Sequence, residues 1–72
     1  MKVCNRLKEI RLQEQHTQES LADAVGVTRQ TIIAIEKEKF VPSVRLALEL
    51  AQALDVSVQD LFWLENRKGG KS

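Results

Sequence analysis

The chain has 72 residues, with 11 Lys and Arg against 10 Asp and Glu, so its formal net charge is +1. This length predicts one small domain, and a content of 43% hydrophobic residues makes the chain too apolar to be disordered. One Cys and one His exclude a disulfide within the chain and a structural zinc site, which needs four ligands.

Five helices are predicted, because Gly and Pro are too scarce for the turns of several β-hairpins. The first is predicted over residues 3–13, where Val3, Leu7 and Ile10 follow a helical spacing. The second is predicted over residues 18–25. It is expected to end at Gly26, since Gly readily takes the left-handed conformation that follows many helices.

The third helix is predicted from residue 29 to about residue 37, the fourth from residue 43 to 54, and the fifth from residue 58 to 64. Pro42 keeps Val41 out of a helix and so separates the third helix from the fourth. Hydroxyl side chains are expected to cap the last four helices, and Asp60 to complete a short capping box at the fifth. The capping residues are Thr17, Thr28, Ser43 and Ser57.

Apolar residues at helical spacing are expected to point inward and form the core. Besides those of the first helix they are Leu21, Ala22, Val25, Ile32, Ile35, Val44, Ala47, Leu50, Ala51, Leu54, Val58, Leu61 and Phe62. Residues 1–65 are therefore expected to form an all-α domain, followed by a flexible polar tail over residues 66–72.

The second and third helices are joined by Gly26, Val27 and Thr28 alone. Such a tight connection forces a large crossing angle between the two helices. Close crossing needs a small residue on the second helix, which Ala22 supplies, and Val27 is expected to insert beneath the corner. This combination predicts a helix-turn-helix unit.

From residue 5 to residue 64 the sequence resembles the phage-repressor, or lambda-repressor-like, helix-turn-helix family. Besides the helix-turn-helix unit, the resemblance rests on R-L-K-E-I-R at residues 6–11, A-I-E at 34–36, P-S at 42–43 and A-L-D-V-S-V-Q-D-L-F at 53–62. It implies a five-helix DNA-binding domain whose third helix lies in the major groove. It also implies a homodimer acting on a two-fold operator.

The sequence departs from this family at three loop positions. Gln15-His16 replaces a frequent Gly-Leu, Lys37-Glu38 replaces Asn-Gly, and Asp55 replaces Gly. Asp tolerates the left-handed conformation, whereas Glu38 would be strained in it. The third helix is therefore expected to end differently here.

The resemblance places the start of the third helix against the base edges. The residues at these positions are Thr28, Arg29, Gln30, Thr31 and Ala34. Arg can bind guanine, Gln can bind adenine, and the Ala or Thr methyl groups can pack on thymine. The alternative is that Arg29 and Gln30 are ordinary solvated residues at the start of a helix.

A second group of residues is expected to contact DNA phosphates: Gln18, Lys37, Lys39 and Arg45. Gln18 lies at the amino end of the second helix, where free amides attract anions. The three cations follow the third helix or open the fourth, where phosphates would pass. Glu36 and Glu38 lie among these cations and would weaken their positive electrostatic potential. The alternative is that the cations are separate surface charges without a role in DNA binding.

Arg11 and Glu36 occupy positions where the family places an ion pair between the first and third helices. A partly buried pair of this kind fixes the register of two helices, because losing either partner leaves a buried charge. Ile33 lies between the inward Ile32 and Ile35, so it is expected either to contact DNA or a second subunit, or to be partly buried.

Trp63 and Leu64 are expected to form the dimer interface. Successive residues on a helix are turned by about 100°, so they cannot both point inward, and Trp is favoured at interface centres. The alternative is that Trp63 lies against the fourth helix or is ordinary surface.

The remaining reactive side chains do not predict an enzyme or a cofactor site. His16 has no catalytic or metal-ligating partners in the sequence, so it is expected to pack at the start of the second helix. Cys4 has no second Cys nearby and is expected to be a reduced, free thiol.

The residue patterns and the family resemblance together predict a transcriptional regulator, more specifically a repressor, which binds double-stranded DNA. The alternative is an antitoxin-like or adaptor module that uses the same fold to bind another protein. No stretch approaches the ~20 apolar residues of a membrane-spanning helix, so a cytoplasmic protein is expected.

Overall fold

The computed structural model describes residues 1–65, which contain five helices and two short strands. In chain order these are β1 (Val3–Asn5), α1 (Leu7–Gln13), α2 (Gln18–Val25), α3 (Arg29–Glu36), α4 (Val44–Ala53), α5 (Val58–Leu61) and β2 (Phe62–Leu64). The five predicted helices are confirmed. The predicted flexible tail, residues 66–72, lies outside the described residues. In the described part of the chain no helix has the length and apolar character needed to span a membrane.

The prediction of an all-α domain is wrong in one respect, because the two ends of the domain form an antiparallel sheet. Val3 pairs with Leu64, Cys4 with Trp63 and Asn5 with Phe62. Both segments were predicted as helix, since three residues are too few for strand alternation to stand out from a helical spacing. Their pairing depends on contacts across the whole chain, which local periodicity does not register.

One local and one long-range hydrogen bond explain why α1 begins at Leu7 rather than at Val3. The Leu7 amide donates to Asn5 Oδ1 over 3.0 Å, and the Arg6 amide donates to the Leu61 carbonyl over 3.0 Å. Asn5 also donates through Nδ2 to the Ile35 carbonyl at 2.9 Å. Asn5 therefore satisfies the first amide of α1 and also ties β1 to α3.

The core lies between α1, the α2–α3 pair, α4 and α5. Its buried apolar residues are Leu7, Ile10, Leu21, Ala22, Ile32, Ile35, Leu50, Ala51, Leu54 and Leu61. Val25, Val27, Val58 and Phe62 pack partly buried against it. Val44 was expected in the core but is 76% exposed. It is the first residue of α4 and lies beyond the edge of the core. Leu46 packs against the core in its place.

Three of the four predicted hydroxyl caps are present. The side chains of Thr17, Thr28 and Ser43 accept from the amides of Ser20, Thr31 and Leu46. At α2 the capping box is closed by Ser20, whose Oγ accepts from the Thr17 amide at 2.9 Å. The predicted Ser57 cap is wrong, because the Asp60 amide donates to the Ser57 carbonyl rather than to its hydroxyl.

α1, α3 and α4 each lead into a residue in the left-handed conformation. These residues are Gln15 (φ 62°), Glu38 (φ 61°) and Asp55 (φ 59°), while Gly26 (φ 75°) takes the same role after α2. The expectation that α3 would end differently is therefore wrong. Glu38 donates to Ile35 O and Lys39 to Ala34 O, both at 2.9 Å. These two bonds satisfy carbonyls of the last turn and offset the strain of a non-glycine residue.

Replacing the strained Gln15 by Gly is expected to stabilise the fold. Gly removes about 1–2 kcal/mol of left-handed strain but adds up to about 1 kcal/mol of chain entropy to the unfolded state, so the free energy of unfolding should rise by about 0.5–1 kcal/mol. Urea denaturation measures the change. The control is Gln52→Gly, at an exposed residue of α4, which should lose about 1 kcal/mol. An equal loss in both variants would contradict the strain at Gln15.

Candidate nucleic-acid interface

The geometry of α2 and α3 is set by their tight connection and by their buried faces. The Val27 amide donates to Ala22 O at 3.0 Å, which closes the corner after Gly26. Leu21 and Ile32, one on each helix, are both fully buried. Because these buried faces meet, the opposite face of α3 points away from the core.

The amino end of α3 carries the residues that the family resemblance predicts to contact bases. Arg29 and Gln30 are exposed, and within residues 1–65 neither forms a side-chain hydrogen bond or an ion pair. Thr28 and Thr31 bond to each other through their hydroxyls at 3.1 Å, so the two Thr side chains are held in place. Ala34 lies half-buried one turn further along. Two free, long polar side chains thus stand on a rigid helix start.

Gln18, at the amino end of α2, is oriented by α3. Its Nε2 donates to Glu36 Oε1 at 3.1 Å. Thr17 Oγ1 accepts a hydrogen bond from the Ser20 amide. The Gln18 and Glu19 amides of the first turn have no hydrogen-bond partner within the helix. The side chain is therefore held beside amides that can bind an anion.

Glu36 also binds Arg11 in a buried ion pair. Arg11 Nε lies 2.6 Å from Glu36 Oε2, and the two side chains are only 7% and 6% exposed. Arg11 Nη1 donates to the His16 carbonyl at 2.9 Å. The pairing expected from the sequence is thus present, and it joins α1, the α1–α2 loop, α2 and α3 in one network.

The three cations expected to meet phosphates, Lys37, Lys39 and Arg45, are all exposed. Arg45 Nε lies 3.2 Å from Glu49 Oε2, one turn further along α4. Glu49 was not predicted as a partner, although the i,i+4 spacing on a predicted helix could have indicated it.

Lys2 was not predicted to take part in any contact. Its Nζ lies 3.0 Å from Oε1 of Glu38, between Lys37 and Lys39. A hydrogen bond from Lys2 to Glu38 and the charge of that carboxylate raise the pKa of Lys2 above the usual 10.5. No local spacing could have indicated a pair that joins residue 2 to residue 38.

The other singled-out side chains have structural surroundings. His16 is half-buried, with Nδ1 2.8 Å from Ser20 Oγ at the start of α2. Cys4 is a free thiol in β1, and Ile33 is half-buried on α3. Among residues 1–65 no cluster of three or more His, Cys, Asp or Glu could hold a metal ion.

Trp63 and Leu64 lie on β2 and are 41% and 58% exposed. Both residues are exposed as expected, but they lie on a strand and not on the predicted helix. The Arg6 guanidinium lies 5.2 Å from the centre of the Trp63 ring and covers one of its faces. A second group of exposed apolar residues, not predicted, follows α3: Phe40, Val41, Val44 and Leu48, here called the α4 patch.

Comparison with known proteins finds sequence relatives that are named as transcriptional regulators. A helix-turn-helix family model matches residues 7–61. The chain is 49% identical over 61 residues to the uncharacterized HTH-type transcriptional regulator YgzD of Bacillus subtilis, covering 85% of this chain and 92% of that one. It is 48% identical over 62 residues to an uncharacterized HTH-type transcriptional regulator of Methanocaldococcus jannaschii, covering 86% and 94%.

Two crystal structures resemble the fold. The restriction-modification controller protein C.AhdI from Aeromonas hydrophila is 33% identical with a TM-score of 0.72, covering 76% of this chain and 80% of that one. A protein from Bacteroides fragilis is 28% identical with a TM-score of 0.78, covering 83% of this chain and 97% of that one.

Proposed function

The chain belongs to the Cro/C1-type helix-turn-helix family, and on that basis we propose that it is a repressor that reads double-stranded DNA with α3 in the major groove. The family and these relatives are DNA-binding transcriptional regulators rather than enzymes. A bound repressor acts by occupying its operator, which requires only a specific DNA-binding surface. The residues of α2 and α3 described above supply such a surface.

The observation that carries this proposal is the free pair Arg29 and Gln30. Both side chains are exposed at the start of a helix whose opposite face is buried. Arg can bridge O6 and N7 of guanine, and Gln can bond N6 and N7 of adenine. Thr28, Thr31 and Ala34 lie on the same stretch of the chain, where methyl groups can meet thymine.

The proposed phosphate contacts flank α3 on two sides. Gln18 and the free amides of α2 supply one contact, because a helix amino end attracts anions. Lys37, Lys39 and Arg45 supply the other from the turn after α3 and the start of α4. Contacts on both sides of a helix would fix its orientation in the groove.

A mobility-shift assay on a pool of random duplexes, followed by selection and sequencing, tests the proposal. We expect a shift at low salt that weakens at moderate salt, and enrichment of a two-fold symmetric sequence. Binding that never enriches a sequence would contradict base reading. A folded protein that shifts no duplex even at low salt would contradict the function itself.

A second candidate function is an antitoxin-like or adaptor module that binds another protein. Two observations favour it: the net charge is only +1, and the α4 patch exposes four large apolar side chains. A folded protein without DNA binding at low salt would support this candidate.

We further propose a homodimer whose interface is centred on Trp63 and Leu64. Both side chains are exposed on β2, and Trp is the residue type most often found at energetic centres of interfaces. A two-fold dimer would present two copies of α3 to successive turns of one duplex face, about 34 Å apart.

Trp63→Ala is expected to raise the dimer dissociation constant by about 30-fold or more, because interface centres typically contribute at least about 2 kcal/mol. Sedimentation equilibrium at micromolar concentration measures the change, and circular dichroism checks the fold. The matched control is Leu48→Ala in the α4 patch, which should leave the dimer intact. If Leu48→Ala dissociated the dimer and Trp63→Ala did not, the interface would lie at α4 and the proposal would be contradicted.

A further inference from the structure

Glu38 is an unexpected residue in the turn that follows α3. It has a left-handed backbone, with φ 61°, and its neighbours Lys37 and Lys39 are two of the proposed phosphate-binding residues. Glu38 and Lys39 take part in the hydrogen bonds of this turn through their backbone amides. The turn therefore does not need the carboxylate, which would repel DNA phosphates or occupy the neighbouring lysines.

The carboxylate is instead held by Lys2. Lys2 Nζ lies 3.0 Å from Glu38 Oε1, with the two side chains 58% and 28% exposed. Lys2 itself is anchored, because its carbonyl accepts from the Glu65 amide at 2.7 Å next to the β1–β2 pairing. The sheet thus places the Lys2 amine, which comes from the amino-terminal end of the domain, beside the Glu38 carboxylate.

Lys37 and Lys39 have no ion pair among the described residues, although Glu38 lies directly between them in the sequence. Arg45 and Glu49 form a pair of their own on α4. The turn therefore keeps its two lysine amines free while its carboxylate is engaged elsewhere. A free amine can bind a phosphate without first breaking an ion pair, and each such contact releases counterions from the DNA.

We propose that Lys2 is a positioning residue for DNA binding, which holds the Glu38 carboxylate away from Lys37 and Lys39 and so leaves both amines free for phosphates. This inference rests on the proposed function. In this proposal Lys2 acts through Glu38 and not by contacting DNA itself. Without Lys2, the carboxylate pairs with a neighbouring lysine and competes with phosphate.

A double-mutant cycle tests the inference on the selected duplex. Lys2→Gln should weaken binding about fivefold and lower the slope of log affinity against log salt by about one, the effect of one lost phosphate contact. Lys2→Gln combined with Glu38→Gln should restore both the affinity and the slope, since no carboxylate remains to compete. Thermal melting of each variant shows that the fold is intact.

Lys8→Gln is the matched control, because Lys8 is an exposed lysine on α1 outside the proposed contacts and its loss changes the net charge equally. Its effect on affinity should be less than about twofold, the contribution of an exposed, screened charge that makes none of the proposed contacts. The inference is overturned if Lys2→Gln behaves like Lys8→Gln, or if Lys2→Gln costs as much affinity in the Glu38→Gln background as in the wild type. A wild-type protein that binds no duplex would overturn the proposed function as well.

Discussion

Arg11→Met is expected to lower the free energy of unfolding by about 3–5 kcal/mol, because it leaves the Glu36 carboxylate buried without its cation. The side chains of this pair are 7% and 6% exposed, so water cannot replace the lost partner. The substitution also removes the donor to the His16 carbonyl. Urea denaturation followed by circular dichroism measures the loss.

The double variant Arg11→Met with Glu36→Leu should recover much of this loss, since it removes both charges and fills their volume. Recovery should be incomplete, because Gln18 Nε2 and the His16 carbonyl each lose a partner. Arg45→Met is the control, because it breaks the exposed Arg45–Glu49 pair and should cost less than about 0.5 kcal/mol. Additive effects at Arg11 and Glu36 would show that the pair is not energetically coupled.

Arg29→Ala and Gln30→Ala are each expected to lose about 1–3 kcal/mol of binding free energy on the preferred operator while leaving non-specific binding nearly unchanged. Each side chain is proposed to read one base pair, so the selected sites should lose preference at that pair. Titration of both variants on the selected duplex and on a scrambled duplex measures the difference.

Lys37→Ala is the matched control for base reading. A phosphate contact carries no sequence information, so this variant should weaken binding on both duplexes alike and lower the salt slope by about one. If Arg29→Ala gave this same pattern, Arg29 would be contacting phosphate rather than a base.

The helical part of the fold could be predicted from the sequence because its signals are local. Hydroxyl caps, apolar spacing and Gly26 all act within a few residues, and α2 and α3 lie where these signals place them. The Arg11–Glu36 pairing needed the family resemblance as well, since the two residues come from different helices.

The rest of the structure depends on contacts that local patterns do not encode. The β1–β2 pairing joins three-residue strands from the two ends of the domain. The Lys2–Glu38 pair depends in turn on that sheet, because β1 brings residue 2 to the turn after α3. The left-handed Glu38 was also unexpected, because its strain is offset by two backbone bonds that only the folded turn reveals.

The β1–β2 pairing also bears on the order in which the molecule can form and open. Asn5 and Phe62 are paired across nearly the whole chain, and closing so long a loop is entropically costly until the helices have brought its ends together. We therefore expect the sheet to form after the helical core and to separate while that core stays folded. Hydrogen exchange at the Cys4 and Trp63 amides reports this local opening separately from global unfolding.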